Sequence, residues 1–193
     1  VVMPGSAYLE MALAASAALH GRPWRVVQAS FREPLVLGKT PTTIQTILTP
    51  EGPQAASFRI VSVVQADEDA EPSFSTHAAG RLEMPSDAEG EPIDLAAQRA
   101  RFAGEPFDDA WRAEALRKSG LEPGPTFTWT LLHWTNDGDT FAELRAARDE
   151  DHAEAYQVHP GLLDTGFQLL GAALPGAGTG IDAYVPMSVD RLQ

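Results

Sequence analysis

The chain of 193 residues contains no cysteine. That excludes disulfide staples and thiolate chemistry, and it is compatible with a reducing compartment. Positive charge is scarce as well. Only 14 Lys and Arg stand against 27 Asp and Glu, for a formal net charge of −13. No basic stripe is available to meet phosphates, which argues against a nucleic-acid partner. The acidic surplus reads instead as a solubility device. Long hydrophobic runs are also missing. No stretch is long enough to cross a bilayer and no secretory leader pattern is visible, so no membrane partner and a cytoplasmic location are expected. The five histidines and the carboxylates show no metal-ligand spacing. There is no G-x-S-x-G elbow for a nucleophilic serine. Gly176-Ala177-Gly178-Thr179-Gly180 is glycine-rich, but no Lys-Ser/Thr follows it, so it reads as a flexible loop rather than a phosphate cradle.

What is present is enough apolar residue for a sizeable core, 44% of the chain. The most informative stretch is His159-Pro160-Gly161-Leu162-Leu163-Asp164-Thr165-Gly166-Phe167-Gln168-Leu169-Leu170. It has helical length and is apolar nearly all round, which predicts a buried helix ending at Pro175-Gly176. Its single ionisable group is Asp164, and Gln168, four residues on, shares its face. A carboxylate stripped of water should hold its proton more tightly and could then act as a general acid. The alternative is that Asp164 only binds backbone N–H groups near the helix start.

A second stretch, Met3-Pro4-Gly5-Ser6-Ala7-Tyr8-Leu9-Glu10-Met11-Ala12-Leu13, also opens on Pro-Gly and runs as an apolar helix to about Leu19. Extended segments follow at 26–31 and 35–37. Strands with a two-residue period are expected over 42–49, 57–65 and 73–84. Asp67–Glu71 reads as an acidic hairpin turn. His77 reads as a half-exposed strand residue. Residues 85–106 read as a linker, with 85–92 polar and acidic. An amphipathic helix is expected over 107–119, then strands over 127–134 and 140–146 joined by Asn136-Asp137-Gly138-Asp139, where Asp-Gly is a hairpin signal. Arg148–Glu154 reads as a charged loop. Val185–Gln193 reads as a strand.

A central apolar helix wrapped by an antiparallel sheet, occurring twice, predicts an α+β double hot-dog. The halves would be residues 1–84 and 107–193. The apolar start at Val1-Val2-Met3-Pro4 and the strand-like end suggest a piece of a longer polypeptide, with both halves incomplete.

Four segments resemble the dehydratase domains of modular polyketide synthases. Val2–Ala12 resembles the end of the family's H-x-x-x-G-x-x-x-x-P motif. Gly120-Leu121-Glu122-Pro123-Gly124-Pro125-Thr126-Phe127 resembles G-x-x-Y-G-P-x-F. His159–Gln168 resembles H-P-x-x-x-D-x-x-x-Q/H, and Val185-Pro186-Met187-Ser188-Val189 resembles L-P-F-S-W. They fall in family order along the whole chain. The resemblance implies removal of water from a β-hydroxyacyl thioester carried on the phosphopantetheine arm of acyl carrier protein. A histidine would take the α-proton. Asp164 would protonate the departing hydroxyl, with Gln168 steadying it. Pro4 and Gly5, at the start of a helix, would lie by the thioester carbonyl, which a backbone N–H there could polarise; the alternative for Gly5 is a role in shape alone. Pro123, Gly124, Phe127, Pro186 and Val189 would line the acyl group. The implied partners are acyl carrier protein, neighbouring synthase domains and a second copy of the chain as a homodimer. No cofactor of the domain's own is implied.

The sequence departs from the family pattern in three places. The motif histidine would fall ahead of Val1, and none of His20, His77, His133, His152 or His159 replaces it. Pro123 stands where the family has Tyr. Val189 stands where it often has Trp. Two further readings therefore accompany simple dehydration. One is a dehydratase-like cyclase that closes a pyran or furan ring after forming the alkene. The other is an inactive dehydratase-like module. A free-standing hot-dog thioesterase, acting on coenzyme A esters, is a more distant alternative.

Overall fold

The computed structural model describes residues 1–64, 71–85, 92–174 and 185–192. The acidic turn at 67–70, the polar stretch at 86–91 and the glycine-rich loop at 176–180 lie outside the described residues. The chain divides into two compact units, Val1–Asp87 with Pro186–Gln193, and Ala88–Val185.

The first unit is built on helix α1 (Gly5–His20). Pro4 caps it in an extended conformation and Gly21 ends it in the left-handed region at φ 75°, donating its N–H to the Ala17 carbonyl at 2.8 Å. Leu9, Ala12 and Leu13 are buried at helical spacing, while Leu19 is exposed. Around this face run β1 (Arg25–Phe31), β2 (Thr43–Pro50), β3 (Ala55–Val64) and β4 (Ser73–Glu83). Phe58, Ile60 and Val61 of β3, Ala78 and Leu82 of β4, and Val26 and Ala29 of β1 complete the core.

In the second unit a short helix, α2 (Leu95–Ala100), is followed by strand β5 (Phe107–Asp108), helix α3 (Asp109–Lys118), strands β6 (Thr130–Asn136) and β7 (Asp139–Leu144), and helix α4 (Pro160–Ala173). The antiparallel sheet order is β5-β6-β7, with α4 packed on β6 and β7 and α3 on β5 and β6. Asp137 and Gly138 join β6 to β7 with φ of 51° and 88°. Two positive φ values in a two-residue loop are what the Asp-Gly signal demands.

The final strand, β8 (Ser188–Leu192), is antiparallel to β1, with Val189 opposite Ala29, and completes a five-stranded sheet of order β2-β3-β4-β1-β8. The sequence places 107–193 in one half; the structure gives these last residues to the other sheet. An isolated strand pattern specifies which face is apolar, not which edge it joins.

Other expectations shift for local reasons. The stretch read as a linker holds α2, capped by the Asp94 carboxylate accepting from the Ala97 N–H at 3.0 Å. It also holds Phe102, which is buried. Phe107 and Asp108 pair with His133 and Leu132, so α3 starts two residues later than its periodicity implies. The expected strand at 127–134 opens with a single 3-10 turn, Pro125–Phe127. Arg148–Glu154 contains two more such turns. The apolar composition of α4 overstates its burial. Only Gly161 and Thr165 are buried in it, and Leu170 is 66% exposed. A three-stranded sheet covers one face of a helix, and composition alone does not say how many faces have a neighbour.

In β4, Gly80 admits a close approach. A Cβ there would stand 2.7 Å from the Phe58 ring and 2.9 Å from the Ala29 Cα. Gly80→Ala should lower stability by about 1–3 kcal/mol through overpacking. Urea unfolding with an unchanged m-value measures it; an unchanged midpoint would show that the sheet gives way freely.

Candidate functional site

Helix α4 begins with a self-contained cap. Pro160 occupies the first helical position, where its missing N–H costs nothing. The Nδ1 of His159 accepts the Gly161 N–H at 3.0 Å. His159 is buried between Trp129, at 5.0 Å between ring centroids, and Tyr156, at 4.9 Å. Trp129 in turn carries the Arg145 guanidinium over its ring at 4.1 Å. Arg145 grips Asp151 with two bonds, 2.6 and 3.0 Å, and donates its Nε to the Thr128 carbonyl at 2.9 Å. The Asp151 side chain is fully buried. The Arg145 bond, followed by the Arg148 backbone N–H, holds its carboxyl well below the usual carboxylate range. His159 is thus one layer of a stack that fixes the start of α4.

Gly161 locks that start to the Pro125–Phe127 turn. A Cβ on Gly161 would lie 1.9 Å from the Thr126 carbonyl oxygen. The same oxygen accepts from the Trp129 Nε1 at 2.9 Å. Two segments far apart in sequence, Gly120–Phe127 and His159–Gln168, therefore meet backbone to backbone. Gly124 caps the turn, its carbonyl accepting the Phe127 N–H at 2.9 Å. Phe127 and Pro123 are half-buried. Pro123 lines a small surface pocket with Arg112, Arg117, Leu121 and Thr128.

One turn into α4 stands Asp164, half-buried. Gln168 donates its Nε2 to the Asp164 Oδ2 at 2.7 Å. The shared face expected from spacing is thus a direct bond. Beyond it lies a residue that the spacing did not single out. Arg112 of α3, 5% exposed, donates its Nη1 to the Gln168 Oε1 and its Nη2 to the Asp109 Oδ1 at 2.8 Å. Arg112 lies four residues before Leu116, on the face that α3 turns inward, but no local signal pairs it with Gln168. His133 of β6, fully buried, sits near the Arg112 charge. Burial first, and that charge second, push its imidazole below the usual histidine value.

The remaining residues singled out from sequence belong to the first unit. Pro4 and Gly5 start α1, and a Cβ on Gly5 would press on the Phe31 ring at 3.1 Å, so close packing by itself accounts for a glycine there. Pro186 precedes β8 and Val189 lies within it, both half-buried. His77 is buried rather than half-exposed, because Ser62 Oγ lies 2.8 Å from its Nε2 and the Glu33 carbonyl 2.9 Å from its Nδ1. Tyr8 stacks on it at 6.1 Å, and burial pushes the Tyr8 phenol up. None of the described residues forms a His, Asp and Glu cluster able to hold a metal ion. None of the described helices is long and apolar enough to cross a membrane.

Two antiparallel sheets, each with an apolar helix against it, and an Asp-x-x-x-Gln pair on the second helix define the class as a double hot-dog of the dehydratase type. Residues 90–193 match the family model described as polyketide synthase dehydratase N-terminal domain, and residues 1–63 match that described as polyketide synthase dehydratase domain. The chain belongs to the polyketide synthase dehydratase family. It is 32% identical to the polyketide synthase ThaG of Burkholderia thailandensis over 99% of this chain and 4% of that protein. The dehydratase domain from the CurF module of curacin polyketide synthase superposes with a TM-score of 0.84 at 26% identity, covering 99% of this chain and 68% of that one. Two inactive mutants of the CurK dehydratase, one with a histidine replaced by phenylalanine and one with an aspartate replaced by asparagine, superpose with a TM-score of 0.84. They are 26% and 25% identical, and in each case the chain covers 99% of itself and 66% of the relative. The chain spans less than a tenth of the length of these curated synthases, 5% and 4% for two of them.

The two glycines of α4 that differ in surroundings should respond in opposite ways. Gly161→Ala must push Thr126 away and lose stability, whereas Gly171, with nothing within 4 Å of its Cβ position, should gain about 0.5–1 kcal/mol as Ala. Thermal melts of both variants test the contrast; equal melting points would mean that the turn does not bear on α4.

Acid should weaken the fold in two stages. For His133 and Asp151 alike, the unfolded chain binds the proton more tightly than the folded one. The contribution of His133 is complete above its ordinary value of 6.5 and is lost as pH falls below it. That of Asp151 is complete above 3.8 and fades only in stronger acid. Urea midpoints recorded from pH 8 to pH 3 should show the first stage, and His133→Gln should flatten it.

Proposed function

We propose that the chain acts in dehydration of a β-hydroxyacyl thioester on acyl carrier protein, giving the α,β-unsaturated thioester in polyketide assembly. In this reading a histidine upstream of residue 1 takes the α-proton. The freed electron pair forms the Cα–Cβ double bond and the Cβ–O bond breaks. Asp164 delivers a proton to the departing hydroxyl, which leaves as water. The α-proton is acidified by the thioester carbonyl, while hydroxide leaves poorly and needs an acid. A backbone N–H at Gly5 polarises the carbonyl. The acyl group meets Pro4, Pro123, Gly124, Phe127, Pro186 and Val189. Phosphopantetheine is the arm of the substrate, and the domain brings no cofactor of its own. Its partners are acyl carrier protein, neighbouring synthase domains and a second copy of itself, in the cytoplasm.

The observation that carries this reading is the 2.7 Å bond from Gln168 to Asp164 on a half-buried helix. A surface carboxylate would need no such partner. The CurK dehydratase, inactive in an aspartate-to-asparagine mutant, supports it from outside. The cyclase reading has its own support in Pro123, which removes a family hydroxyl from the pocket edge.

In the dehydratase domain that contains this chain, Asp164→Asn should reduce turnover of a β-hydroxyacyl carrier-protein thioester by about 10²–10⁴-fold. Product chromatography against linear-alkene and cyclic-ether standards separates dehydration from cyclisation. An undiminished rate in the mutant removes Asp164 from the chemistry. Sequence upstream of residue 1 without a histidine would favour the inactive module.

A further inference from the structure

Arg112 is a charge where the helix pattern calls for an apolar side chain. Burying a guanidinium is expensive and is sustained only by partners. Two of its three nitrogens have them: Nη1 binds the Gln168 Oε1 and Nη2 the Asp109 Oδ1 at 2.8 Å. Its Nε is buried with no hydrogen-bond partner among the described residues. The side chain is thus held by its two ends, at a cost in the middle. A leucine would fill the volume without that cost.

We propose that Arg112 is a positioning residue for the acid, acting through the Gln168 amide; the proposal rests on the reading of Asp164 as the proton donor. Arginine only donates. Gln168 must therefore present Oε1 to Arg112, which leaves its Nε2–H for the Asp164 Oδ2 at 2.7 Å. The reversed amide would set NH₂ against the guanidinium and oxygen against the carboxylate. Arg112 so fixes which end of the amide faces Asp164. Asp109, on the first turn of the same helix, holds the second arm of the fork and sets its direction. Arg112 also lines the small pocket beside Pro123.

The test is a double-mutant cycle in the dehydratase domain that contains this chain, read as kcat, KM and melting temperature. The substrate is a β-hydroxyacyl thioester of acyl carrier protein, and the variants are Arg112→Met, Arg112→Lys, Gln168→Ala, Arg112→Met with Gln168→Ala, and Asp164→Asn. Arg112→Met should lower kcat roughly 10- to 100-fold, with KM within about twofold. Gln168→Ala should do the same, and the double variant should be no worse than Gln168→Ala alone. Arg112→Lys, which keeps the charge but not the fork, should fall between wild type and Arg112→Met. If Arg112→Met does not fold, Arg112→Lys takes its place in the cycle. Wild-type kcat in a folded Arg112 variant, or losses that multiply in the double variant, overturns the proposal. If Asp164→Asn is inert while the Arg112 losses multiply, only the positioning role falls. If Asp164→Asn keeps its rate, the acid reading falls and this one with it.

Discussion

The second unit depends on a contact that leaves no room for a methyl group. Gly161 lies against the Thr126 carbonyl so closely that a Cβ would come within 1.9 Å of the oxygen. Backbone contact of this kind is stiff, because neither side can rotate away. It sets the start of α4 against the 3-10 turn, and the residues around it hold both in place. His159 accepts from the Gly161 N–H, Trp129 donates to the Thr126 carbonyl, and Arg145 covers Trp129 while gripping a buried Asp151. None of these groups needs to touch a substrate. Their effect is to aim the helix that carries Asp164 and Gln168.

On that helix the polar groups form a line rather than a cluster. Asp109, Arg112, Gln168 and Asp164 connect through successive hydrogen bonds from α3 to α4. Each bond constrains the next, because a guanidinium can only donate and a primary amide donates at one end and accepts at the other. Such a chain has a direction, and a carboxyl group at its end inherits it. His133, buried and kept neutral beside the Arg112 charge, adds no competing charge. The first unit is organised differently. Its core is the apolar face of α1 in a five-stranded sheet, and its buried histidine, His77, is satisfied by Ser62 and a backbone carbonyl.

Much of this was legible residue by residue. The Pro-Gly starts marked both long helices, the Asp-Gly pair marked the β6–β7 turn, and the four-residue spacing put Gln168 on the Asp164 face. The alternation of apolar residues located β2, β3 and β4. These signals are local: caps, turn chemistry and periodicity act within one or two turns of chain. Arg112 was not legible. A lone arginine in an amphipathic helix reads as solvated, and nothing in its neighbours announces a partner 56 positions away. Nor was the burial of α4, whose composition promises more than a three-stranded sheet can cover.

The sequence by itself determined the two long apolar helices and most of the strands, the family to which the chain belongs, and which carboxylate sits on an apolar helix. Tertiary structure decided the rest. It gave the last strand to β1, set Gly161 against Thr126, and brought a buried guanidinium to the far end of the Gln168 amide. The physical reason is range. Backbone preference and side-chain period are properties of neighbouring residues, whereas strand partners and buried charge pairs are chosen only when distant segments compete for the same surface.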